Sequence, residues 1–526
     1  MSGTGRLAGA GDGTGTRDGT RTRDGSGTRD AGIYGTGIRR GADGVARYAG
    51  LPSSLAGALR AVVERQARDE AIVEVGGERV TYRELWDRAA RVAGGLREAG
   101  ARRGDRIAMR LPNGVDWCVA FYGIQLAGCA VVPVNMRLTP AEVADIVADS
   151  GAALVIEPGP LPAGRATFAA DDQGHQDLAA VFYTSGTTGR PKGVLTSQEN
   201  FLSNAETTRR VLRIPETDPW RSLVSVPLCH VTGCNSQLLP ALAAGGSLVI
   251  LPRFDPWQLL RTMRAERVSA LMAVPSMFRS LVPLATDGYT ATVRSVTYGG
   301  SPVHPELIAA MRTVFPGARL GTGYGMTETA SFCTYLPDEF SDSRSDTVGP
   351  AAPAVDVRLH APGPDGVGEL LARGPNVTPG YWTGGGPPDR TAFAGDWLRT
   401  GDLARIAPDG FVQIVDRVKD VIIRGGESVY SAQVERVIAA HRDILDVAVL
   451  GIPDPVAGEK VAAALVVPPG RDVDLRAVLR FARARLARHK TPELVAVWTR
   501  PLPRNPGGKV MKPQVRAESE WIVAPR

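Results

Sequence analysis

The stretch Val181-Phe182-Tyr183-Thr184-Ser185-Gly186-Thr187-Thr188-Gly189-Arg190-Pro191-Lys192-Gly193 joins an apolar run to a loop of glycines, hydroxyls and one lysine. The apolar run predicts a buried strand ending at Tyr183. Gly186 and Gly189 let a backbone approach an anion closely. Backbone N–H groups and the hydroxyls of Thr184, Ser185, Thr187 and Thr188 can donate to phosphate oxygens. Lys192 adds a compact positive charge on a flexible stem. Gly193 stands where a Walker A loop would carry Ser or Thr, so that loop type is excluded. Helix entry is expected near Thr196, with Glu199 completing a Thr-x-x-Glu capping box.

On either side of this loop, apolar strands alternate with amphipathic helices. Leu55–Gln66 and Tyr82–Ala99 read as helices, the second with Leu85, Ala89, Val92 and Leu96 on one face. Segments 71–75 and 79–81 read as a hairpin around Gly76-Gly77. Residues 106–110, 130–134 and 153–156 read as strands between helices at 117–127 and 140–149. That alternation predicts an α/β fold with a largely parallel, covered sheet. Beyond Asp416-Arg417 the pattern changes. Helices at 434–441 and 475–486 and strands at 446–451 and 461–467 predict a small α+β unit, with Asp474 capping the second helix.

Three segments are expected: a disordered tail at 1–48, a large α/β domain at 49–416 and a small, mobile α+β domain at 417–526. The tail is built from Gly, Thr, Arg and Asp, with few side chains able to enter a core. Its eight arginines against five aspartates in the first fifty residues supply half of the net charge of +6. No dense basic stripe follows, so nucleic-acid binding is not expected. With 43% hydrophobic and 22% charged residues the 526-residue chain has a globular composition. The apolar stretch from Trp117 to Val134 is broken by Gln125 and Pro133, so it reads as a buried helix and a strand rather than a membrane span. No apolar signal core opens the chain. Five cysteines without CxxC spacing fit a reducing cytoplasm, and Cys229, His230 and Cys234 match no zinc pattern.

Of the 61 basic residues only six are lysine. Where a solvated charge sufficed, this chain uses arginine. Its lysines, Lys192 and Lys509 foremost, are therefore expected where a lysine in particular is needed.

The phosphate-loop stretch resembles the signature loop of the adenylate-forming superfamily of acyl-CoA synthetases, peptide-synthetase adenylation domains and luciferases. The resemblance recurs in order through Gly323-Tyr324-Gly325-Met326-Thr327-Glu328-Thr329, Trp397-Leu398-Arg399-Thr400-Gly401-Asp402-Leu403, Asp416-Arg417-Val418-Lys419-Asp420 and Asn505-Pro506-Gly507-Gly508-Lys509. It spans roughly residues 50–515 and implies ATP, Mg²⁺ and CoA as cofactors. It further implies that Ser185, Gly186, Thr187, Thr188, Gly189 and Lys192 cradle phosphates with Thr184, and that Gly299, Gly300 and Ser301 line the adenine and acyl pocket. By the same resemblance Tyr324 is expected against the base, between Gly323 and Gly325, which leave space. Thr327, beside Met326, is expected to contact the α-phosphate, and Glu328 to hold the metal. The resemblance likewise implies that Asp402 takes the ribose hydroxyls, that Arg417 reaches ribose or phosphates and that Lys419 is the hinge. Gly425 and Gly426 are expected to face a thiol, and Lys509 to join carboxylate and phosphate in the adenylation transition state. Two departures stand out: Asp416 where the hinge motif usually has Gly, and Ser197 where many members carry His.

Pro227 to Cys234 resembles the segment lining the acyl pocket, which implies His230 near the substrate carboxylate. No Asp lies between Pro227 and Leu239, which argues against an α-amino acid. Asn235, Met272, Val274, Met277, Tyr298 and Met326 suggest a mostly apolar pocket for a fatty or aromatic acid. Arg279 is read as a helix-surface residue. The resemblance implies an acid–CoA ligase acting through an acyl-AMP. The same ATP machinery would serve an amine, a carrier-protein thiol or nitrite activation. A scaffold working through the basic tail is the reading from another class, and retained Lys509, Glu328 and Asp402 speak against it. Stable membrane insertion is not expected, and the acid and the oligomeric state stay open.

Overall fold

The computed structural model describes residues 35–184, 191–215, 220–286, 288–301, 303–471, 473–504 and 509–525. The chain forms a large N-terminal α/β domain and a small C-terminal α+β domain. Among the described residues, eight strands lie in one sheet in the order Ser331–Leu336, Arg319–Met326, Ser295–Gly299, Ala270–Ala273, Arg221–Val224, Ser247–Ile250, Glu70–Glu74 and Arg79–Thr81. The six inner strands run parallel and the two edge strands antiparallel. A second sheet orders Leu154–Ile156, Arg106–Met109, Ala130–Pro133, Leu178–Thr184 and Lys192–Ser197, with only the last pair antiparallel. Parallel strands need both faces covered. The helix Val115–Leu126 supplies cover, and it is buried on every face except at Asp116. It packs on Tyr82–Glu98, whose capping box is made by Thr81 and Glu84.

An antiparallel sheet of Asp356–His360, Gly368–Arg373, Trp397–Ile406 and Val412–Arg417 follows. After the single turn Val418–Asp420 the strands change partners. Ile422–Arg424, Asp446–Asp454, Gly458–Val466 and Leu494–Trp498 form a separate sheet backed by Ser431–Ala439 and Leu475–Arg483. Asp474 caps the latter helix by accepting from Ala477 N.

Two expectations are corrected. The tail does not extend to residue 48, because Ile38–Arg40 and Ala46–Tyr48 pair as an antiparallel hairpin fastened to the large domain. The Tyr48 hydroxyl lies 2.7 Å from Thr207 Oγ1 and donates to the Pro353 carbonyl, and Arg40 binds Asp356 through two hydrogen bonds. One tyrosine and a few charged groups suffice where periodicity shows nothing. Second, the strand Lys192–Ser197 continues through Thr196, which pairs with Ala180, so the helix begins one residue later. Ser197 is its N-cap and forms the capping box with Asn200. Glu199 instead accepts from Arg47 Nε at 2.9 Å and from Gln176.

Asp416, the departure from the hinge pattern, has a structural role. It is 6% exposed, accepts from Ser431 Oγ and from Ala432 N, and so caps the helix Ser431–Ala439 from across the domain junction. Burial raises its pKa, with the hydrogen bonds and the Lys512 charge opposing. Asp416→Ala should lower unfolding stability by about 1–3 kcal/mol, since it strands two buried donors. Denaturant titration checks this.

Candidate active site

The described residues on either side of the loop expected to hold phosphate are fixed by strand pairing. Thr184 closes the strand Leu178–Thr184 and sits opposite Lys192, the first residue of the returning strand. Ser185, Gly186, Thr187, Thr188 and Gly189 lie outside the described residues, as do Gly507 and Gly508.

Lys192 is exposed, and its ammonium lies 5.4 Å from the centre of the Tyr381 ring. The Tyr381 hydroxyl donates to Glu328 Oε1 at 3.0 Å. Sequence reasoning missed Tyr381, which belongs to none of the motifs. It is positioned by the segment 378–382, which runs between the phosphate-loop strand and the Glu328 turn. Thr378 N donates to the Glu328 carbonyl and Thr378 Oγ1 to the Leu195 carbonyl. Leu195 N donates to the Gly380 carbonyl and Trp382 N to the Gly193 carbonyl. Lys192 and Glu328, 136 positions apart in sequence, are thereby brought to one ring. Burial raises the Tyr381 pKa, and the Glu328 charge raises it further, so the phenol stays a donor.

The second Glu328 oxygen accepts no hydrogen bond among the described residues. A carboxylate so placed, one tyrosine ring away from Lys192, suits a hard divalent cation, which prefers oxygen ligands. The residues therefore fit Mg²⁺. Tyr381→Phe should free Glu328 to rotate and raise the Mg²⁺ concentration needed for half-maximal activity about tenfold, with little change in the apparent affinity for CoA. An Mg²⁺ titration of pyrophosphate release checks this.

Tyr324 and Asp402 meet directly. The Tyr324 hydroxyl donates to Asp402 Oδ2 at 2.7 Å, and burial raises the phenol pKa well above its ordinary value. Arg417 is the cross-strand partner of Asp402 and holds its Nε 3.7 Å from Oδ1. Burial raises the Asp402 pKa, while the Tyr324 hydroxyl and the Arg417 and Lys509 charges oppose the rise. Lys509, contributed by the last segment of the small domain, lies within electrostatic reach of Arg417, Asp402, Glu328 and Lys419. The residue keeps solvent access. Even so, desolvation of its ammonium, and then the Arg417 charge, lowers its pKa below the ordinary lysine value. Lys419 is exposed on the turn Val418–Asp420.

Gly323 and Gly325, expected to leave space beside Tyr324, do not do so. A Cβ on Gly325 would lie 1.4 Å from the Ser331 carbonyl oxygen, and one on Gly323 would lie 2.1 Å from the Phe332 ring. The neighbouring strand takes that space, and the glycines serve close strand packing. Gly299 is opposite Gly323 in the parallel pair, Gly300 has φ +82, and Ser301 is exposed beyond them. Met326 N donates to Thr329 Oγ1 and opens the short turn Thr327–Thr329 that carries Glu328. Gly425 and Gly426, φ +59 and +83, form the two-residue turn between Ile422–Arg424 and Glu427–Val429, with nothing near their missing side chains.

His230 N-caps a short helix, and its Nε2 lies 3.1 Å from Asn135 Nδ2. Asn135 Oδ1 accepts from Arg137 N, so its amide nitrogen faces the imidazole. Nε2 is thus the acceptor and Nδ1 carries the proton. Burial, then the Arg137 charge, lowers the His230 pKa. A neutral imidazole can accept or donate a hydrogen bond but offers a carboxylate no charge. The helix continues into a π-turn, Cys234–Leu238, a feature frequent at functional sites. Asn235 Nδ2 donates from that turn to the Ala330 carbonyl, tying it to the Glu328 segment. Met272 and Tyr298 are buried on adjacent parallel strands, and Val274 N-caps the helix that carries Met277. Arg279 lies on that helix's exposed side.

The family model described as AMP-binding enzyme matches residues 59–173 and 163–382, and the model described as AMP-binding enzyme C-terminal domain matches 433–509. A feruloyl-CoA synthase of Amycolatopsis sp is 35% identical over 484 residues, covering 86% of this chain and 96% of the relative. The long-chain-fatty-acid–CoA ligase FadD13 of Mycobacterium tuberculosis is 33% identical over 497 residues, covering 87% and 96%. Among solved structures, o-succinylbenzoate coenzyme A synthetase from Bacillus subtilis, in complex with ATP and magnesium, superposes with a TM-score of 0.78 at 27% identity over 87% of this chain and 99% of that one. ATP-bound MatB from Rhodopseudomonas palustris gives a TM-score of 0.78 at 30% identity over 88% and 98%.

Proposed function

The chain belongs to the AMP-binding enzyme family, and from that membership we propose that it is an ATP-dependent acid–CoA ligase acting on a fatty or aromatic carboxylic acid. A carboxylate oxygen attacks the α-phosphorus of ATP, and the bond to the bridging oxygen of pyrophosphate breaks. The resulting acyl-AMP is then attacked at its carbonyl carbon by the CoA thiolate, and AMP leaves.

The observation that carries this reading is the cluster in which Asp402 takes the Tyr324 hydroxyl at 2.7 Å and faces Arg417 at 3.7 Å, with Lys509, from near the end of the chain, in electrostatic reach of Asp402, Arg417 and Glu328. Two anions must approach in the first step, and a preorganised ammonium between them stabilises the transition state. Lys509 holds the carboxylate and an α-phosphate oxygen. Lys192, Thr184 and Thr327 donate to the phosphates. Asp402 accepts the ribose hydroxyls, Arg417 reaches ribose or phosphate, and Tyr324 with Gly299, Gly300 and Ser301 walls the base. Glu328 would hold Mg²⁺, which when bound neutralises phosphate charge. His230, neutral, orients the substrate carboxyl.

We divide the chain at 416/417, with Lys419 as hinge. After adenylation the small domain turns about this point, withdraws Lys509 and presents Gly425-Gly426 to the pantetheine arm. Cys118, Cys129, Cys229, Cys234 and Cys333 are all free thiols, which supports a reducing, cytoplasmic setting. Among the described residues no helix is long and apolar enough to cross a membrane.

The test is pyrophosphate release from a panel of fatty, aryl, cinnamic and dicarboxylic acids and nitrite, each with and without CoA. The expected result is one acid class whose single burst becomes steady turnover when CoA is added. Release indifferent to CoA would assign the acceptor to an amine or a carrier protein and sink the CoA half of the reading.

A further inference from the structure

Beside Met272 the interior contains a small cavity, with room for about one water molecule or one hydroxyl, that is not lined by hydrocarbon alone. The π-turn contributes Ser236 and Gln237, and the parallel strands contribute Ser222, Met272 and Thr297. Gln237 and Thr297 are each 2% exposed. Among the described residues Gln237 Oε1 and Thr297 Oγ1 have no hydrogen-bond partner, although the Gln237 amide nitrogen donates to the Thr232 carbonyl. Turning the amide over would only exchange which end is unpaired. A buried polar atom left unpaired costs about 1–3 kcal/mol, so two at one cavity call for a polar partner there, either a buried water or a hydroxyl of the substrate.

The cavity's position relates it to the substrate. Thr297 precedes Gly299 by two residues on its strand, a rise of roughly 7 Å at the usual ~3.3 Å per residue. Met272 is its neighbour in register on the next strand. On the other side, Ser236 Oγ lies 2.5 Å from Ser331 Oγ, three residues beyond Glu328. The polar pair therefore sits one layer beneath the loop that would receive the acyl group. A benzoyl or cinnamoyl ring, or a short chain, bridges such a gap; a long alkyl tail would place methylenes on two unpaired polar atoms.

We infer that Gln237 and Thr297 form a polar floor to the acyl pocket and select a compact acid carrying a hydroxyl at the end remote from its carboxylate. The inference rests on the acid–CoA ligase reading and narrows its substrate class. Such a hydroxyl donates to Gln237 Oε1 and accepts from Thr297 Oγ1, pairing both. Sites built to bond a substrate hydroxyl reject the analogue lacking it far more strongly than apolar pockets discriminate by size.

The test compares CoA-dependent kcat/KM within matched pairs: 4-hydroxycinnamate against cinnamate, 4-hydroxybenzoate against benzoate, and 6-hydroxyhexanoate against hexanoate. At least one pair should favour the hydroxylated acid about tenfold or more. Thr297→Val and Gln237→Leu should each shrink that ratio several-fold, mainly through the hydroxy acid's KM, and Thr297→Ser should keep it. The wild-type comparison decides even where a variant folds poorly. Equal values within every pair would overturn the inference and leave the ligase reading standing. A wild-type preference untouched by both variants would also overturn it, because the cavity would then hold only water. If no acid turned over with CoA, the ligase reading would fail and the inference with it.

Discussion

Lys509→Ala should lose about 10²–10³-fold in acyl-AMP formation while converting supplied acyl-AMP and CoA to thioester within a few-fold of the wild-type rate. The expected loss is that of one preorganised donor aimed at charge developing in a transition state. The selectivity follows from the position of Lys509, on a late segment of the small domain and within electrostatic reach of Asp402 on the large one. On the proposed hinge the ammonium leaves as that domain turns, so the thiol step is not expected to use it. The pH profile carries the same signature. The ammonium is the active form, and desolvation and the Arg417 charge lower its pKa. As pH rises through that lowered value the charge is lost, so the alkaline limb of adenylation should fall below the pH at which free lysine titrates. Thioester formation should not show that limb. Equal loss in both half-reactions would rule out two working arrangements of the domains.

Asp402→Ala should behave differently, with both half-reactions losing about 10²-fold in kcat/KM. ATP, the acyl-AMP and departing AMP share the same ribose, so in its proposed ribose role the carboxylate serves throughout. Its removal also leaves the buried Tyr324 hydroxyl without its acceptor and Arg417 without its counter-charge. Stranding such partners costs about 1–3 kcal/mol or more. The loss should appear chiefly as a raised KM for ATP, because binding to ground and transition states falls together. A mutant that lost adenylation alone would remove Asp402 from the ribose site.

The contrast between these residues shows what the sequence makes legible. The grouping of Asp402, Arg417, Glu328 and Lys509 is readable because each stands in a short run of glycines, hydroxyls and charges whose order along the chain is distinctive. The long helices are readable for a different reason. Tyr82–Glu98 carries its own capping box and apolar stripe, and Val115–Leu126 is apolar on nearly every face. Tyr381 was not readable, because its role depends on a crossing of segments far apart in sequence. The same holds for Asn135, which reaches His230 across 95 positions and settles its tautomer. Asp416 looked like a departure from a motif and proves to be a cap for a helix fifteen residues on. Gly323 and Gly325 were legible as necessary glycines, but their reason lay in the strand Ser331–Leu336, which no local pattern reveals.

The central claim is that the chain joins an acid to the α-phosphate of ATP and then passes the acyl group to CoA. Mass spectrometry of a single turnover tests it most directly, with enzyme, MgATP and the best acid, first without CoA and then with it. The account predicts one acyl-AMP and one pyrophosphate per active site before CoA, and one acyl-CoA and one AMP after. ADP or inorganic phosphate in place of AMP and pyrophosphate, or a thioester formed with no acyl-AMP preceding it, would contradict it.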